Sequence, residues 1–192
     1  MDRVAIKAHA KESISGKIFI LLAITIITSI VGGVLGFIPV VGVLAAIVIA
    51  GPIELSMTMI YLGIVDKNRA PKIEDIINGF KENNFTRAFV AYLRYTIFTA
   101  LWSLLFVIPG IIKGISYSQM FYLMAEDKKM DAAEAQRKSM EMMEGHKWEY
   151  FMLNLSFILW YMLVGITFGI AMIYVGPYVE ASKAEFYRKL KK

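Results

Sequence analysis

Hydrophobic positions along this chain fall into two alternating kinds of segment, one short and amphipathic, the other long and free of charge. The two meet over residues 139–160, where a charged helical piece ends on Gly145, Lys147 and Trp148 follow, and an apolar run opens. The same order recurs over residues 10–22 and 73–90. It predicts a helix lying along a surface, a turn, and a helix entering lipid. In the first amphipathic piece Val4, Ala8 and Ile14 share a helical face. In the second, Ile73, Ile76, Ile77 and Phe80 form an apolar stripe opposite Glu74, Asp75 and Asn78. In the third, Ala132, Ala133, Met140 and Met143 oppose Glu134, Arg137 and Glu141. Such helices lie in the headgroup plane or pack on the end of a bundle.

Each amphipathic piece ends on a glycine, Gly16, Gly79 or Gly145, at spacings of 63 and 66 residues. Glycine suits that place because it closes a helix in the left-handed conformation without a Cβ penalty. A second marker has nearly the same period: Gly51-Pro52 with Glu54, Gly114 with Gln119, and Gly176-Pro177 with Glu180. Two markers at one period argue for three diverged repeats, approximately residues 1–65, 66–127 and 128–192, within a single membrane domain. Each repeat holds two apolar runs around a bend. The pairs are 18–38 and 40–65 about Pro39, 88–108 and 111–125 about Pro109-Gly110, and 150–168 and 170–179 about Gly169. Small residues four apart, Gly32 with Gly36, Gly110 with Gly114 and Gly165 with Gly169, allow close helix contact in lipid.

Composition narrows the class. Apolar residues make up 57% and charged residues 19% of the 192-residue chain, with mean hydropathy +0.56. The uncharged run over 18–38 has the length of about 20 residues that a ~30 Å hydrocarbon core demands. Run 111–125 is shorter, about 22 Å at 1.5 Å per residue, and carries Lys113. Charge placement keeps it as a span. Segments 1–17, 66–87, 126–148 and 183–192 hold four, five, five and five Lys or Arg residues, whereas the bends carry Lys113 alone. Six spans put every basic segment on the cytoplasmic side. The expected fold is therefore all-α and polytopic, with six transmembrane helices as three hairpin repeats and both termini cytoplasmic. The net charge of +5 sits at run ends and makes no nucleic-acid face. Without cysteine, disulfides and thiolate metal sites are excluded.

Within the last repeat, Ala135, Arg137 to Met140, Gly145 to Trp148, Phe151, Leu155 to Ile158 and Trp160 resemble the signature of a bacterial membrane family, domain of unknown function 975. Pro177-Tyr178, Ala184 and Phe186-Tyr187 resemble its closing motif, and Ala8, Lys11 and Gly16 its opening. The likeness is specific mainly over residues 132–187. It implies a multi-span protein of the bacterial plasma membrane and implies no activity. A more distant likeness to the membrane portions of glycerophosphodiester phosphodiesterases points by analogy to lipid-related work.

Chemistry has few candidates. His9 and His146 are the two histidines, each expected at the surface with no carboxylate set nearby. No catalytic, phosphate-loop or metal motif occurs, so neither an enzyme nor a cofactor is expected. Glu54, Arg94, Gln119 and Glu180 are the polar groups within or beside apolar runs, and such groups face a bundle interior or water. Glu54 is an ion or proton site, or a hydrogen bond locking the repeats; a pair with Arg94 is one way to stabilise it. Glu180 is expected to pair with Lys183, and Glu185 with Arg188 or Lys189. Tyr92, Tyr95, Trp148 and Tyr150 read as an interfacial aromatic belt. Pro39, Pro52, Pro109, Gly110, Gly114 and Pro177 are the hinge and packing positions. Three functions remain: an accessory that binds partners in immunity, envelope or assembly work, a small-solute or ion transporter or channel using Glu54, and a lipid-handling protein. Expected partners are anionic lipid at the cytosolic face and a membrane protein or a second copy of the chain.

Overall fold

The computed structural model describes residues 2–36, 41–67 and 69–191. It is all-α, 84% helical, with no strand among the described residues. The expected hinge Pro39 lies outside them.

Helix α1 (Arg3–Ile14) starts on an Asp2 cap whose carboxylate accepts from the Val4 N–H at 2.9 Å. It ends at Gly16, φ +74°, and the chain turns by 89° into α2 (Ile18–Gly36). Helix α3 (Val41–Lys67) follows, then a 3-10 helix over Ile73–Phe80 and α4 (Glu82–Leu105). Next come α5 (Val107–Tyr117), α6 (Met120–Glu126) and α7 (Ala132–Met142), the last capped by the Asp131 side chain. Helices α8 (Lys147–Leu155) and α9 (Ile158–Ile166) form one broken rod, and α10 (Met172–Leu190) closes the chain. Among the described residues, two stretches are long and apolar enough to cross a membrane, Gly42–Asp66 and Lys147–Ile166. The bent pair α1–α2 makes a third if counted as one span.

Several boundaries differ from the sequence reading, each for a local reason. The bend between α4 and α5 falls at Phe106, in extended conformation, rather than at Pro109-Gly110. Pro109 instead occupies the first turn of α5, where its missing N–H costs nothing. Run 111–125 is two helices, broken at Ser118–Gln119. The Gln119 N–H donates to Ser139 Oγ at 3.1 Å, and Ser139 donates to the Ser116 carbonyl at 2.7 Å, so α7 satisfies the break. The amphipathic faces also rotate. In α1 the buried positions are Ile6, Ala10, Ser13 and Ile14, while Val4 and Ala8 are exposed. The second piece is a 3-10 helix that turns Asp75 inward and leaves Ile73 and Ile77 exposed; Arg69 neutralises Asp75 at 2.7 Å. In α7 and its C-cap, Ala132, Ala135, Ser139 and Met143 are buried, and Ala133 and Met140 are not.

Each amphipathic piece packs on a core helix: the 3-10 helix on α3, α7 on α6, and α1 on α10. Gly79 is the contact point of the first of these. It has no positive φ; a Cβ there would collide with the Pro52 carbonyl, and its N–H donates to Ser56 Oγ at 2.7 Å. Glycine thus serves here for close approach, not for a left-handed turn. Gly110 lies equally close to Ser103 of α4, and Gly114 meets Thr99 in ordinary contact. Gly165 and Gly169 face open space and bring no helices together.

The buried core occupies one end of the bundle, which we call the inner end. It is made by α1, the C-terminal parts of α3 and α10, and α6, with Leu55, Ile64, Met120, Met124, Phe186 and Tyr187 among its fully or nearly fully buried side chains. There Arg188 bridges Asp66 at the end of α3 and Glu126 at the end of α6, and Lys191 and Tyr187 also donate to Glu126. Residues 18–36, 41–53, 95–112 and 155–175 carry no charge and make the outer end. That end exposes large apolar side chains, Leu104 at 86% and Phe168 at 99% among them.

Candidate functional site

Where the two ends meet, α3, α4, α5, α6, α8 and α10 surround a polar cavity of about 230 Å³. Helix α3 supplies Glu54, α10 supplies Glu180 and Lys183, and α4 supplies Tyr92 and Tyr95 three residues apart on one face. Tyr117, Tyr122 and Tyr150 complete the ring from α5, α6 and α8. Tyr95 and Tyr117 meet edge to face at 6.5 Å. Tyr122 is pinned from behind by Tyr187, stacked at 5.2 Å, and Tyr150 by Phe186 at 5.1 Å. The ring is therefore anchored in the inner-end core.

Electrostatically the cavity holds one neutralised carboxylate and one that is not. Glu180 accepts from Lys183 Nζ at 2.8 Å, one turn along α10. Glu54 makes no hydrogen bond or ion pair among the described residues. Although it lies far from either end of α3, its side chain is accessible, because it faces hollow space on two sides. The second hollow is a groove of about 500 Å³ lined by the α3 residues Gly42, Ala46, Ala50 and Ile53 and by Tyr92 of α4. A further polar hollow of about 460 Å³ shares Tyr95, Ser118, Tyr150 and Lys183 with the central cavity and extends past Asn154 and Thr99 to Ser103 near the α4–α5 bend. The central cavity thus joins two grooves, each running toward the outer end.

Of the polar residues expected to matter, the fold brings Glu54 and Glu180 together and sends the others elsewhere. Arg94 does not pair with Glu54: its Nε donates to Gln136 Oε1 of α7 at 2.9 Å, and its guanidinium lies over the Phe98 ring. Gln119 is fully buried at the α5–α6 break, donating to Ser118 Oγ at 2.7 Å, with Oε1 unpartnered among the described residues. Pro52 and Pro177 sit buried inside α3 and α10. Glu185 pairs with His9 of α1 at 2.9 Å rather than with Arg188 or Lys189, and His146 pairs with Glu149 at 2.7 Å. Both histidines therefore have carboxylate partners, His146 one that lies three residues away in sequence and His9 one that lies 176 residues away. Of the four aromatics assigned to an interfacial belt, Tyr92, Tyr95 and Tyr150 line the cavity; only Trp148 is exposed, stacked on Phe151. The tyrosine ring was missed because its members come from four helices. The usable signal was the Tyr92–Tyr95 spacing one turn apart, on a face that also carries buried Ala88 and Ala91.

These features define an all-α protein with apolar helices long enough to cross a membrane and a polar, tyrosine-lined cavity among them. The chain belongs to the family described as Protein of unknown function (DUF975), which matches residues 1–116 and 104–192, so the relationship extends well beyond the C-terminal motifs. No curated protein and no solved structure matches it.

Proposed function

We propose that the chain is a six-span protein of the bacterial plasma membrane that works by binding a small ligand in its central cavity, not by catalysis. The spans are α2, α3, α4, α5 with α6, α8 with α9, and α10. This reading is supported by the charge-free outer end: an exposed apolar surface of that extent is tolerated in lipid and not in water. Placing the basic inner end in the cytoplasm leaves both termini there and sets Lys and Arg against anionic headgroups. The three-repeat organisation is supported by the way each amphipathic piece docks on a core helix.

The observation that carries the binding function is Glu54, an accessible and unpaired carboxylate at the junction of cavity and groove. An intramembrane carboxylate costs about 2.5–3.5 kcal/mol on insertion scales, which a purely structural residue would recover through a partner. The cysteine-free chain permits a direct test. In a Ser118→Cys variant the thiol should react with a small neutral maleimide in proteoliposomes, since Ser118 lines both polar hollows. Failure to react in the folded protein while a denatured sample reacts fully would remove the cavity. Transport is the second reading, favoured by the two grooves that leave the cavity. Liposomes carrying wild type should then show a solute or proton flux that Glu54→Gln abolishes, whereas a pure binding accessory shows none.

A further inference from the structure

We propose that the cavity and the α3 groove bind a lipophilic organic cation, an ammonium- or phosphonium-like charge on an apolar body, that enters sideways from the bilayer. The inference rests on the binding function above and names its ligand class. Three independent observations converge on it.

The first is charge. With Lys183 paired to Glu180, Glu54 is the carboxylate at the cavity wall that has no direct partner among the described residues. In surroundings of low dielectric a cation there gains far more than it would in water, and an anion is repelled. Lys183 is matched by Glu180, so with Glu54 ionised the charged groups that line the cavity sum to one negative charge.

The second is the aromatic lining. Five tyrosines from four helices ring the carboxylate. Aromatic faces attract cations through the ring quadrupole, worth about 0.5–1 kcal/mol each when exposed and 2 or more when desolvated. Rings held by Tyr187 and Phe186 need no ordering when a ligand arrives.

The third is the route. Gly42, Ala46, Ala50 and Glu54 recur every four residues on α3, so small side chains make a channel that ends at the carboxylate. From Gly42 to Glu54 the helix rises about 18 Å, roughly one leaflet of a ~30 Å hydrocarbon core. The groove's walls, Val43, Ile47 and Ile53 among them, are apolar. A hydrophilic cation gains nothing from such a path. A cation carrying rings or alkyl groups buries them along it. The combined hollow lies in the size range of small-molecule sites, about 300–1,000 Å³.

Tetraphenylphosphonium and tetraphenylborate have the same shape and opposite charge, and so separate charge from hydrophobicity. Equilibrium dialysis against the protein in phosphatidylcholine nanodiscs, with empty nanodiscs subtracted, should show saturable binding of the phosphonium and none of the borate. Glu54→Gln should weaken phosphonium binding at least tenfold. Ala46→Trp should do the same by filling the groove while leaving the carboxylate in place, which keeps the test decisive if Glu54→Gln does not fold. Equal binding of both ions, or phosphonium binding unchanged in either folded variant, overturns the cation assignment but leaves a cavity that binds. Saturable binding of neither ion to wild type overturns the assignment. If Ser118→Cys is unreactive as well, the binding function falls with it.

Discussion

Replacing Arg188 by methionine should loosen the inner end of the bundle by a measurable amount. The guanidinium sends Nη1 to Glu126 and Nη2 to Asp66, so one side chain joins the ends of α6, α3 and α10. Hydrogen bonds to charged groups are worth about 1.5–3 kcal/mol each. Arg188 and Glu126 are 21% exposed and Asp66 28%, so water screens the pairs in part and the lower figure applies. Two such bonds give about 3 kcal/mol, and a chain of this size loses about 2–4 °C of Tm per kcal/mol. The expected fall is about 6–12 °C, read from tyrosine and tryptophan fluorescence on heating in detergent at one fixed rate. Glu126→Gln removes the pairs with Arg188 and Lys191, and the double variant should cost less than the sum of the singles by about 1.5 kcal/mol. Additive effects within about 0.5 kcal/mol, or a fall of less than 2 °C for Arg188→Met, would refute the clamp. Its pH dependence has a definite sign. Burial alone would raise the Glu126 carboxyl, but hydrogen bonds from Lys191, Tyr187 and Arg188 outweigh that and hold it below the ordinary value. A carboxylate depressed in the folded state stabilises above its unfolded pKa of about 4.3 and loses that contribution as pH falls further. Wild type should therefore lose Tm below about pH 4 more steeply than Glu126→Gln does.

Three other outcomes follow from particular contacts. Gly79→Ala drives a methyl group into the Pro52 carbonyl and should undock the 3-10 helix, seen as faster proteolysis after Lys72 or Lys81; unchanged cleavage would contradict the close approach. Arg94→Met and Glu54→Gln should have additive effects on thermal stability, since Arg94 donates to Gln136; coupling beyond about 0.5 kcal/mol would mean that the two meet. For topology, a cysteine reporter belongs at the exposed Ala133 rather than the buried Ala135. Labelling of Ala133→Cys from outside intact cells by an impermeant reagent would exclude a cytoplasmic inner end.

What the sequence made legible was whatever repeats locally. Charge-free runs, amphipathic pieces and the left-handed glycines Gly16 and Gly145 all leave a signal within a few residues, and the helices follow it. The i, i+3 pair of Glu180 and Lys183 was readable for the same reason. Contacts across the bundle leave no such trace. Arg94 meets Gln136 across 42 residues and His9 meets Glu185 across 176, and nothing in the periodicity of either helix names the partner. The faces of α1 and the 3-10 helix were misread because apolar residues there have two apolar environments open to them, core and exterior. In a water-soluble bundle an exposed isoleucine counts against a face; here Ile73 and Ile77 carry no such penalty if lipid lies beside them. The break at Ser118–Gln119 depends on Ser139, a side chain from another helix.

The docking of α1 on α10 sets a timetable for how the molecule matures. Lys7 donates to the Ser156 carbonyl and lies 4.0 Å from the Phe157 ring centroid, and His9 meets Glu185, so α1 is finished by groups translated 149 and 176 residues later. Chains emerge at about 5–20 residues per second. The buried face of Ile6, Ala10 and Ile14 therefore waits on the order of ten seconds or more for its cover. On the six-span reading proposed above, the nascent helix has the bilayer surface as its apolar support in that interval, and the ring of contacts closes only once α10 has been made. Long-range closure of this kind is slow to form. It also makes α1 a reporter of the arrival of α10: α1 becomes shielded from protease only after α10 has docked on it.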